Sequence, residues 1–325
     1  MRWLHAPRAA IVLLLLAGCA TPQTNSVLTQ RGALPLQVEL TNVPFFPQTE
    51  NECGPASLAM ALVASGVTVT PTDLTPTVFT PGRAGSLQTD MISASRRHGR
   101  IAYPIHDLRG MLTEIATGTP VIVFQNLALS WYPQWHYAVA IGYDLNDKHI
   151  ILHSGITPRD RMRLTTFEHT WERGGSWAIA VLPPDRLPAS AQPQPYLTAI
   201  KGLEQAKQFE AAAVAYATAL SRWPDDLQAL MGRGNALYAL GRKSDAAQAF
   251  RAATQQHPES GPAFNNLAHV LAELGQLAEA EKSARQAIAL GGPFADTARQ
   301  TLDEIQAAQR KKPPPRVPPR PPRRQ

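Results

Sequence analysis

Residues 51–63 of the chain are Asn51-Glu52-Cys53-Gly54-Pro55-Ala56-Ser57-Leu58-Ala59-Met60-Ala61-Leu62-Val63. The part that follows Pro55 is almost wholly apolar, so it predicts a central helix buried on all sides. Gly54 permits close approach of another backbone, and Pro55 suits the first turn of a helix. The stretch therefore predicts a buried helix that carries Cys53 at its N-terminal end.

Cys53 is a candidate nucleophile. The N-terminal end of a helix carries partial positive charge, so we expect a lowered pKa for the Cys53 thiol. Backbone N–H groups at that end would also point toward a developing oxyanion. The other cysteine, Cys19, is assigned to a lipid below, and a lone free thiol in an exported protein indicates chemistry. The alternative, a buried apolar cysteine, fits poorly with the Cys-Gly-Pro start of the helix.

His136 is the candidate base for this nucleophile. It opens the apolar run 137–143, which predicts a strand, and a base at a strand end is rigidly held yet open to a cleft. A turn is predicted at 144–147 and a second strand at 149–155. Pairing the two strands as a hairpin brings the end of the second strand beside His136.

The group that orients the His136 ring should come from that second strand. Papain-type enzymes use Asn or Asp for this task. The chain offers His153 and Ser154 instead, and His153 is the preferred candidate. Ser154, or Asp144 in the turn, is the alternative.

These residues together carry a resemblance. Gln48, the Cys53-Gly54-Pro55 helix start, and His136 opening a strand that reaches Gly142-Tyr143-Asp144 resemble the bacteriocin-processing cysteine peptidases. Those papain-like enzymes cut leader peptides after a double glycine, and the resemblance covers roughly residues 42–182. It implies an α+β fold, with Cys53 as nucleophile, His136 as general base and Gln48 in the oxyanion hole. The family usually has an aspartate where this chain has His153 and its neighbours.

A second pattern repeats every 34 residues after a Pro-rich segment. Ala212, Ala246 and Ala280 follow this step, and so do Lys207, Gly241 and Gly275 and the aromatic pair Tyr216 and Phe250. Over about residues 196–292 the pattern resembles tetratricopeptide repeats, helix-turn-helix units that stack into a solenoid. The predicted fold class is therefore an α+β papain-like cysteine peptidase domain followed by an all-α tetratricopeptide-repeat solenoid.

The N-terminal end of the chain predicts export and lipidation. Residues 1–18 are typical of a secretory signal, and Leu16-Ala17-Gly18-Cys19 resembles the bacterial lipoprotein processing box. Cys19 would then carry a lipid, and residues 19–41 would form a polar tether. Ala20, in place of an inner-membrane retention Asp, predicts the periplasmic face of the outer membrane.

The remaining boundaries follow from composition. The peptidase domain is predicted at 42–187, a Pro-rich linker at 188–195, and the repeats with a capping helix at 196–309. Residues 310–325 form a basic, Pro-rich tail with seven of the basic residues, and the chain as a whole carries +6. The tail is predicted to be disordered, and it either contacts anionic envelope groups or is merely solvated. Because the net positive charge comes from this tail and the rest of the chain sums to −1 (+6 minus +7), no nucleic-acid partner is predicted.

The sequence thus predicts a lipid-anchored envelope cysteine peptidase that acts on a peptide or protein. A protein partner is expected in the repeat groove, although the repeats could instead only brace the catalytic domain. No cofactor or metal site is predicted. The alternatives are another acyl-transfer enzyme, such as an amidase or transpeptidase, and a catalytically weak module that binds peptides in an envelope scaffold.

Overall fold

An antiparallel sheet forms the centre of the first of two units. The computed structural model describes residues 20–48, 52–83 and 85–311, and the units divide between Ala211 and Ala212. The predicted signal peptide, Cys19 and most of the predicted tail lie outside the described residues.

The sheet is built from apolar, β-branched runs that pack well on a pleated surface. Its strand order is β4-β9-β5-β6-β7-β8, every neighbouring pair is antiparallel, and β1 pairs with the last three residues of β6. A separate two-stranded sheet joins β2 and β3. The strands are β1 Gln37–Glu39, β2 Phe79–Thr80, β3 Gly85–Ser86, β4 Ile101–Ile105, β5 Val121–Asn126, β6 Trp135–Asp144, β7 His149–Ser154, β8 Thr157–Arg163 and β9 Ala178–Leu182.

Helices cover this sheet. In the first unit they are α1 Pro22–Thr29, α2 Cys53–Ala64, α3 Pro71–Val78, α4 Gln88–Arg97, α5 Leu108–Ala116, α6 Leu164–Arg173 and α7 Pro193–Gln205. The central helix α2 buries nearly all of its residues and packs against Tyr137, Val139 and Ile141 of β6. The predicted buried helix beginning at Cys53 is therefore confirmed, as is the hairpin of β6 and β7.

Residues 20–41 do not form the predicted tether, because α1 and β1 are folded onto the first unit. The carboxylate of Glu168 accepts from the backbone N–H groups of Gln23 and Thr24, at 2.9 and 2.7 Å. At the other end of α1, Arg109 donates to the carbonyls of Ser26 and Gln30. The two N–H groups are ones that the start of a helix leaves unpaired. At the other end, the Ser26 carbonyl accepts from Arg109 in addition to the Gln30 N–H. The polar composition of this segment hid these long-range partners from the sequence.

The predicted linker, residues 188–195, is also held on the first unit. Ser190 donates from its backbone N–H and its hydroxyl to Glu114, both at 2.7 Å, and Tyr103 donates to the Ser190 carbonyl. The linker then runs into α7, whose Tyr196 and Ile200 are fully buried where the helix packs on β4. The first repeat helix is thus part of the unit that carries the sheet.

The second unit is helical. The repeat helices that follow α7 are α8 Phe209–Arg222, α9 Leu227–Ala239, α10 Lys243–Gln256, α11 Gly261–Glu273, α12 Leu277–Leu290 and α13 Ala295–Lys311. The aromatic side chains of the repeat pack directly on glycines. A Cβ at Gly232 would overlap the ring of Tyr216, and a Cβ at Gly234 would overlap the ring of Phe250. Among the helices of the described residues, none is long and apolar enough to cross a membrane.

Candidate active site

Cys53 opens α2 at one end of the sheet. Its side chain is partly buried beside the backbone of Tyr137, the third residue of β6. Tyr137 and Gly54 supply backbone hydrogen bonds that favour the thiolate. The helix thus places the thiol beside the strand residue that directly follows His136.

Burial nevertheless raises the pKa of the Cys53 thiol, and the backbone hydrogen bonds only partly oppose this. The expected lowering of this pKa is therefore wrong for the free protein. The free energy lost when the thiolate is removed from water exceeds the free energy gained from hydrogen bonds to the N–H groups at the helix end. In the resting site the sulfur carries its proton.

His136 lies in the same end of the sheet, and its ring contacts Ser154. Nε2 of His136 and Oγ of Ser154 are 2.9 Å apart. Burial lowers the pKa of His136, so the resting imidazole is neutral. Within the described residues, the thiol and this ring form no direct hydrogen bond with each other. The resting pair is accordingly a neutral thiol and a neutral imidazole.

His153 does not reach His136. Its ring nitrogens are used elsewhere: Nε2 lies 3.3 Å from the Val43 carbonyl, and Nδ1 accepts from the Arg159 backbone at 3.2 Å. Successive side chains of a strand point to opposite faces, so Ser154 faces His136 and His153 does not. In this arrangement the alternative, Ser154, contacts the His136 ring, and the preferred candidate, His153, does not.

Asp144 is excluded by distance along the strand. It ends β6 eight residues after His136, which corresponds to about 26 Å at the rise of an extended chain. Its carboxylate instead accepts from the backbone of Asn146 and Asp147 in the turn and pairs with Arg161.

Gln48 is buried and joins three parts of the site. Its Nε2 donates to Ser57 Oγ at 3.1 Å and to the Tyr137 carbonyl at 3.3 Å, and its Oε1 accepts from the Gly155 backbone at 3.0 Å. These bonds connect α2, β6 and the turn that follows β7. Both Nε2 hydrogens are therefore engaged in the free protein, and the oxyanion role of Gln48 stays a prediction.

An aromatic row supports the strand that carries His136. Phe124 stacks on Trp135 with ring centres 5.2 Å apart and contacts Tyr137 at 4.7 Å, and Tyr137 meets Trp177 edge-on. Burial raises the pKa of Tyr137, whose hydroxyl donates to the Ser86 carbonyl at 3.2 Å. Because Trp135 and Tyr137 flank His136, this packing fixes the backbone on both sides of the candidate base.

Three residues of this arrangement were not assigned a role from the sequence. Ser57 is fully buried one turn after Cys53, and its polarity within an apolar run was the available signal. Tyr137 and Gly155 act through backbone groups, which sequence patterns do not identify.

Comparison with known proteins agrees with this architecture. Residues 40–179 match a family model described as the Peptidase_C39 like family, and residues 197–262 and 261–290 match two tetratricopeptide-repeat models. The chain has a C39-like peptidase domain followed by tetratricopeptide repeats. The predicted family resemblance and fold class are thereby confirmed. The C39-like match begins after α1 and β1.

Three solved structures are each similar to part of the chain at low identity. A protein described as a C39-like peptidase from Bacillus anthracis is 19% identical, with 45% of this chain and 97% of that chain covered and a TM-score of 0.39. The type III secretion translocator chaperone SycD from Yersinia enterocolitica is 19% identical, covering 36% and 82%, with a TM-score of 0.34. The Sgt2 repeat domain from Aspergillus fumigatus is 22% identical, covering 38% and 86%, also at 0.34. No curated protein matches the chain.

Proposed function

We propose that the C39-like domain is a cysteine peptidase in which Cys53 is the nucleophile and His136 the general base. The observation that carries this proposal is the meeting of two elements. The N-terminus of α2 delivers a thiol to the start of β6, where His136 is held by Ser154 at 2.9 Å. Nucleophile, base and orienting group are the three parts that such catalysis requires.

The neutral resting pair defines the order of proton movements. His136 accepts the thiol proton as Cys53 Sγ attacks the peptide carbonyl carbon, and the carbonyl oxygen takes the negative charge. The imidazolium then gives its proton to the leaving amine as the C–N bond breaks, which leaves a thioester. Water attacks the thioester with His136 again as base, releasing a carboxylic acid and the free thiol.

The oxyanion has two sources of donors in this proposal. The backbone N–H groups at the start of α2 point toward the cleft, as helix N-termini do. The second donor is Gln48 Nε2. Its hydrogen bond to the Tyr137 carbonyl, at 3.3 Å, is longer and weaker than its bond to Ser57. A substrate oxyanion would replace Tyr137 as the acceptor while the bond to Ser57 is kept.

The test uses single variants of the two reacting groups. Cys53→Ala and His136→Ala should each lower kcat/KM for a cleaved peptide by about 10²-fold or more. In a Cys19→Ser background Cys53 is the sole cysteine, so labelling by a thiol-reactive peptide reports on it alone. Comparing the envelope peptidome of wild type and Cys53→Ala would identify substrates. Continued cleavage by Cys53→Ala would remove the assignment.

A second candidate is peptide capture without turnover. It is favoured by Ser154, which offers His136 no negative charge, and by the raised pKa of the thiol. A capture module would bind peptides with unchanged affinity in wild type and Cys53→Ala, and mass spectrometry would find no thioester on Cys53. Turnover that depends on Cys53 distinguishes the peptidase from this alternative.

The repeats belong to a class that binds proteins, and we assign them the recruitment of a substrate or partner protein to the peptidase domain. Deleting residues 212–311 should then raise KM for a protein substrate and leave KM for a short peptide unchanged. Equal effects on both substrates would favour the bracing role.

Lipid anchoring at Cys19 completes the proposal and places the enzyme on the periplasmic face of the outer membrane. It is supported by the Leu16-Ala17-Gly18-Cys19 sequence alone. Because α1 begins at Pro22 and is docked, the anchor would have a spacer of only a few residues. Incorporation of an alkyne-labelled fatty acid should occur in wild type and be lost in Cys19→Ser.

A further inference from the structure

Apolar side chains stand exposed at the end of the sheet where the site lies. Trp131, Tyr132 and Ile156 are each about four-fifths exposed, at 80, 79 and 79%. They belong to two neighbouring segments, the β5–β6 loop and the β7–β8 turn. We call the exposed apolar side chains of these segments, together with Trp135 at the start of β6, the apolar lip; they are Leu127, Leu129, Trp131, Tyr132, Trp135 and Ile156.

The β5–β6 loop carries no charged residue. The sequence from residue 124 to residue 136 contains none of Asp, Glu, Lys or Arg. Large apolar side chains clustered in this way are unusual on a surface that meets only water. Trp and Tyr combine an apolar ring with a polar group, which suits the boundary between lipid and water.

Part of the backbone of the loop is paired from within. The side chain of Asn126 is buried, and its Oδ1 accepts from the N–H groups of Ala128 and Gln134 at 3.1 and 3.0 Å. The N–H of Leu127 donates to the Gln134 carbonyl, and that of Tyr132 donates to the Leu129 carbonyl. Each of these bonds lowers the cost of bringing the loop into a low-dielectric layer.

The chain enters the domain at the same end of the sheet. The side chain of Gln23, on α1, accepts from the N–H of Leu108, which follows the end of β4. The last residue of β4, Ile105, lies opposite Ala178, and Ala178 lies opposite Val123 of β5. The start of α1 therefore lies toward the end of the sheet that carries the lip.

We propose that the apolar lip docks into the interface of a lipid bilayer, so that the Cys53–His136 site faces the membrane surface. The uncharged Trp- and Tyr-containing loop, the hydrogen bonds that pair part of its backbone and the start of α1 toward the same end all point to this occupant. The docking needs no lipid on Cys19, and so it stands apart from the anchoring proposed above. A site held in this way acts on peptide segments that lie at the membrane surface.

The test measures binding of an unlipidated chain to vesicles. The chain that begins at residue 19 with Cys19→Ser keeps every described element, since the first helix begins at Pro22. Its partitioning is measured with vesicles of phosphatidylcholine, which carry no net charge. Removing two large apolar side chains with Trp131→Ser and Tyr132→Ser together should lower the partition coefficient about tenfold.

Matched controls replace exposed apolar residues elsewhere. Leu36 and Phe294 are each 49% exposed, and Leu36 lies at the opposite end of β6, where its carbonyl accepts from Leu145. Leu36→Ser and Phe294→Ser should leave partitioning unchanged. Trp fluorescence of the wild type should also be quenched by brominated acyl chains, with the quenching reduced in Trp131→Phe.

Three results would overturn the proposal. The first is equal partitioning of the lip variant and the wild type. The second is unchanged partitioning with a raised KM for a soluble peptide, which would make the lip a substrate subsite. The third is loss of a dimer in the lip variant with unchanged partitioning, which would make the lip a contact between copies. A matching circular dichroism spectrum shows that the variant is folded.

Discussion

Ser154 distinguishes this site from one with a charged orienting group. A carboxylate beside the imidazole would stabilise the imidazolium and thereby a thiolate partner. A hydroxyl at 2.9 Å can fix the ring and its tautomer, but it supplies no negative charge. Burial is the main cause of both pKa shifts, so both groups are neutral at rest. The proposed attack would therefore move a proton from the Cys53 thiol to the His136 imidazole.

The resting protonation state predicts how the reactivity of Cys53 depends on pH. Alkylation by iodoacetamide requires thiolate, so its rate should keep rising with pH past the usual range of a cysteine. The acid limb of kcat/KM should fall below the usual pKa range of histidine, because burial disfavours protonated His136. A rate of alkylation that is already maximal at neutral pH would contradict the neutral pair.

Replacing Ser154 with aspartate should strengthen the base. The new carboxylate would raise the pKa of His136 and favour the ion pair, so alkylation of Cys53 at neutral pH should accelerate about tenfold. The acid limb of the pH profile should move upward in the same variant. Ser154→Asn is the matched control, since it offers an oxygen without charge. If Asn and Asp act alike, charge is not the missing component.

The two residues proposed to react were predictable from the sequence, and Ser154, which contacts His136, was predictable only as an alternative. Cys53 and His136 each open an apolar element, which is a local pattern. The choice between His153 and Ser154 depends on which face of β7 meets His136, and a shift of one residue reverses it. The pKa of Cys53 was mispredicted because burial is a property of the folded chain.

At the scale of elements, α1 shows how a short polar helix becomes part of a domain. It has eight residues, too few to persist alone in water. Long-range partners at its two ends, Glu168 and Arg109, add to the burial of Thr24 and Val27. The hydrophobic patterns identified α2 and the β6–β7 hairpin, but a helix held by end contacts has no such pattern.

Removing the carboxylate of Glu168 should release α1. Glu168→Ala leaves the N–H groups of Gln23 and Thr24 without their acceptor, and we expect a loss of about 2 kcal/mol in the free energy of unfolding. Hydrogen exchange should accelerate across residues 22–29. Glu172→Ala, an exposed carboxylate one turn further along α6, is the control and should change neither quantity. Unaltered exchange in Glu168→Ala would mean that α1 is held by other contacts.

At the scale of the molecule, the sequence and the structure divide the chain at different places. The change from a mixed pattern to a repeating one indicated a boundary near residue 188, whereas the two units meet between Ala211 and Ala212. Composition marks where the repeat pattern starts. Packing shows which unit contains the first repeat helix. Because α7 covers β4, an outer strand of the sheet, this helix is part of the first unit.

This difference predicts which truncations remain folded. A chain that ends at residue 187 loses α7, exposes the surface of β4 and leaves Glu114 without Ser190. It should unfold at a clearly lower temperature than a chain that ends at residue 211, and it should aggregate, because an uncovered outer strand and apolar surface invite association. Differential scanning calorimetry and light scattering on the two truncations provide the measurement.

In the longer chain, Ile200→Ser should reproduce part of the loss in transition temperature, whereas Thr198→Ser on the exposed face of α7 should not. Equal transition temperatures for the two truncations would place α7 with the repeats and return the boundary to the linker.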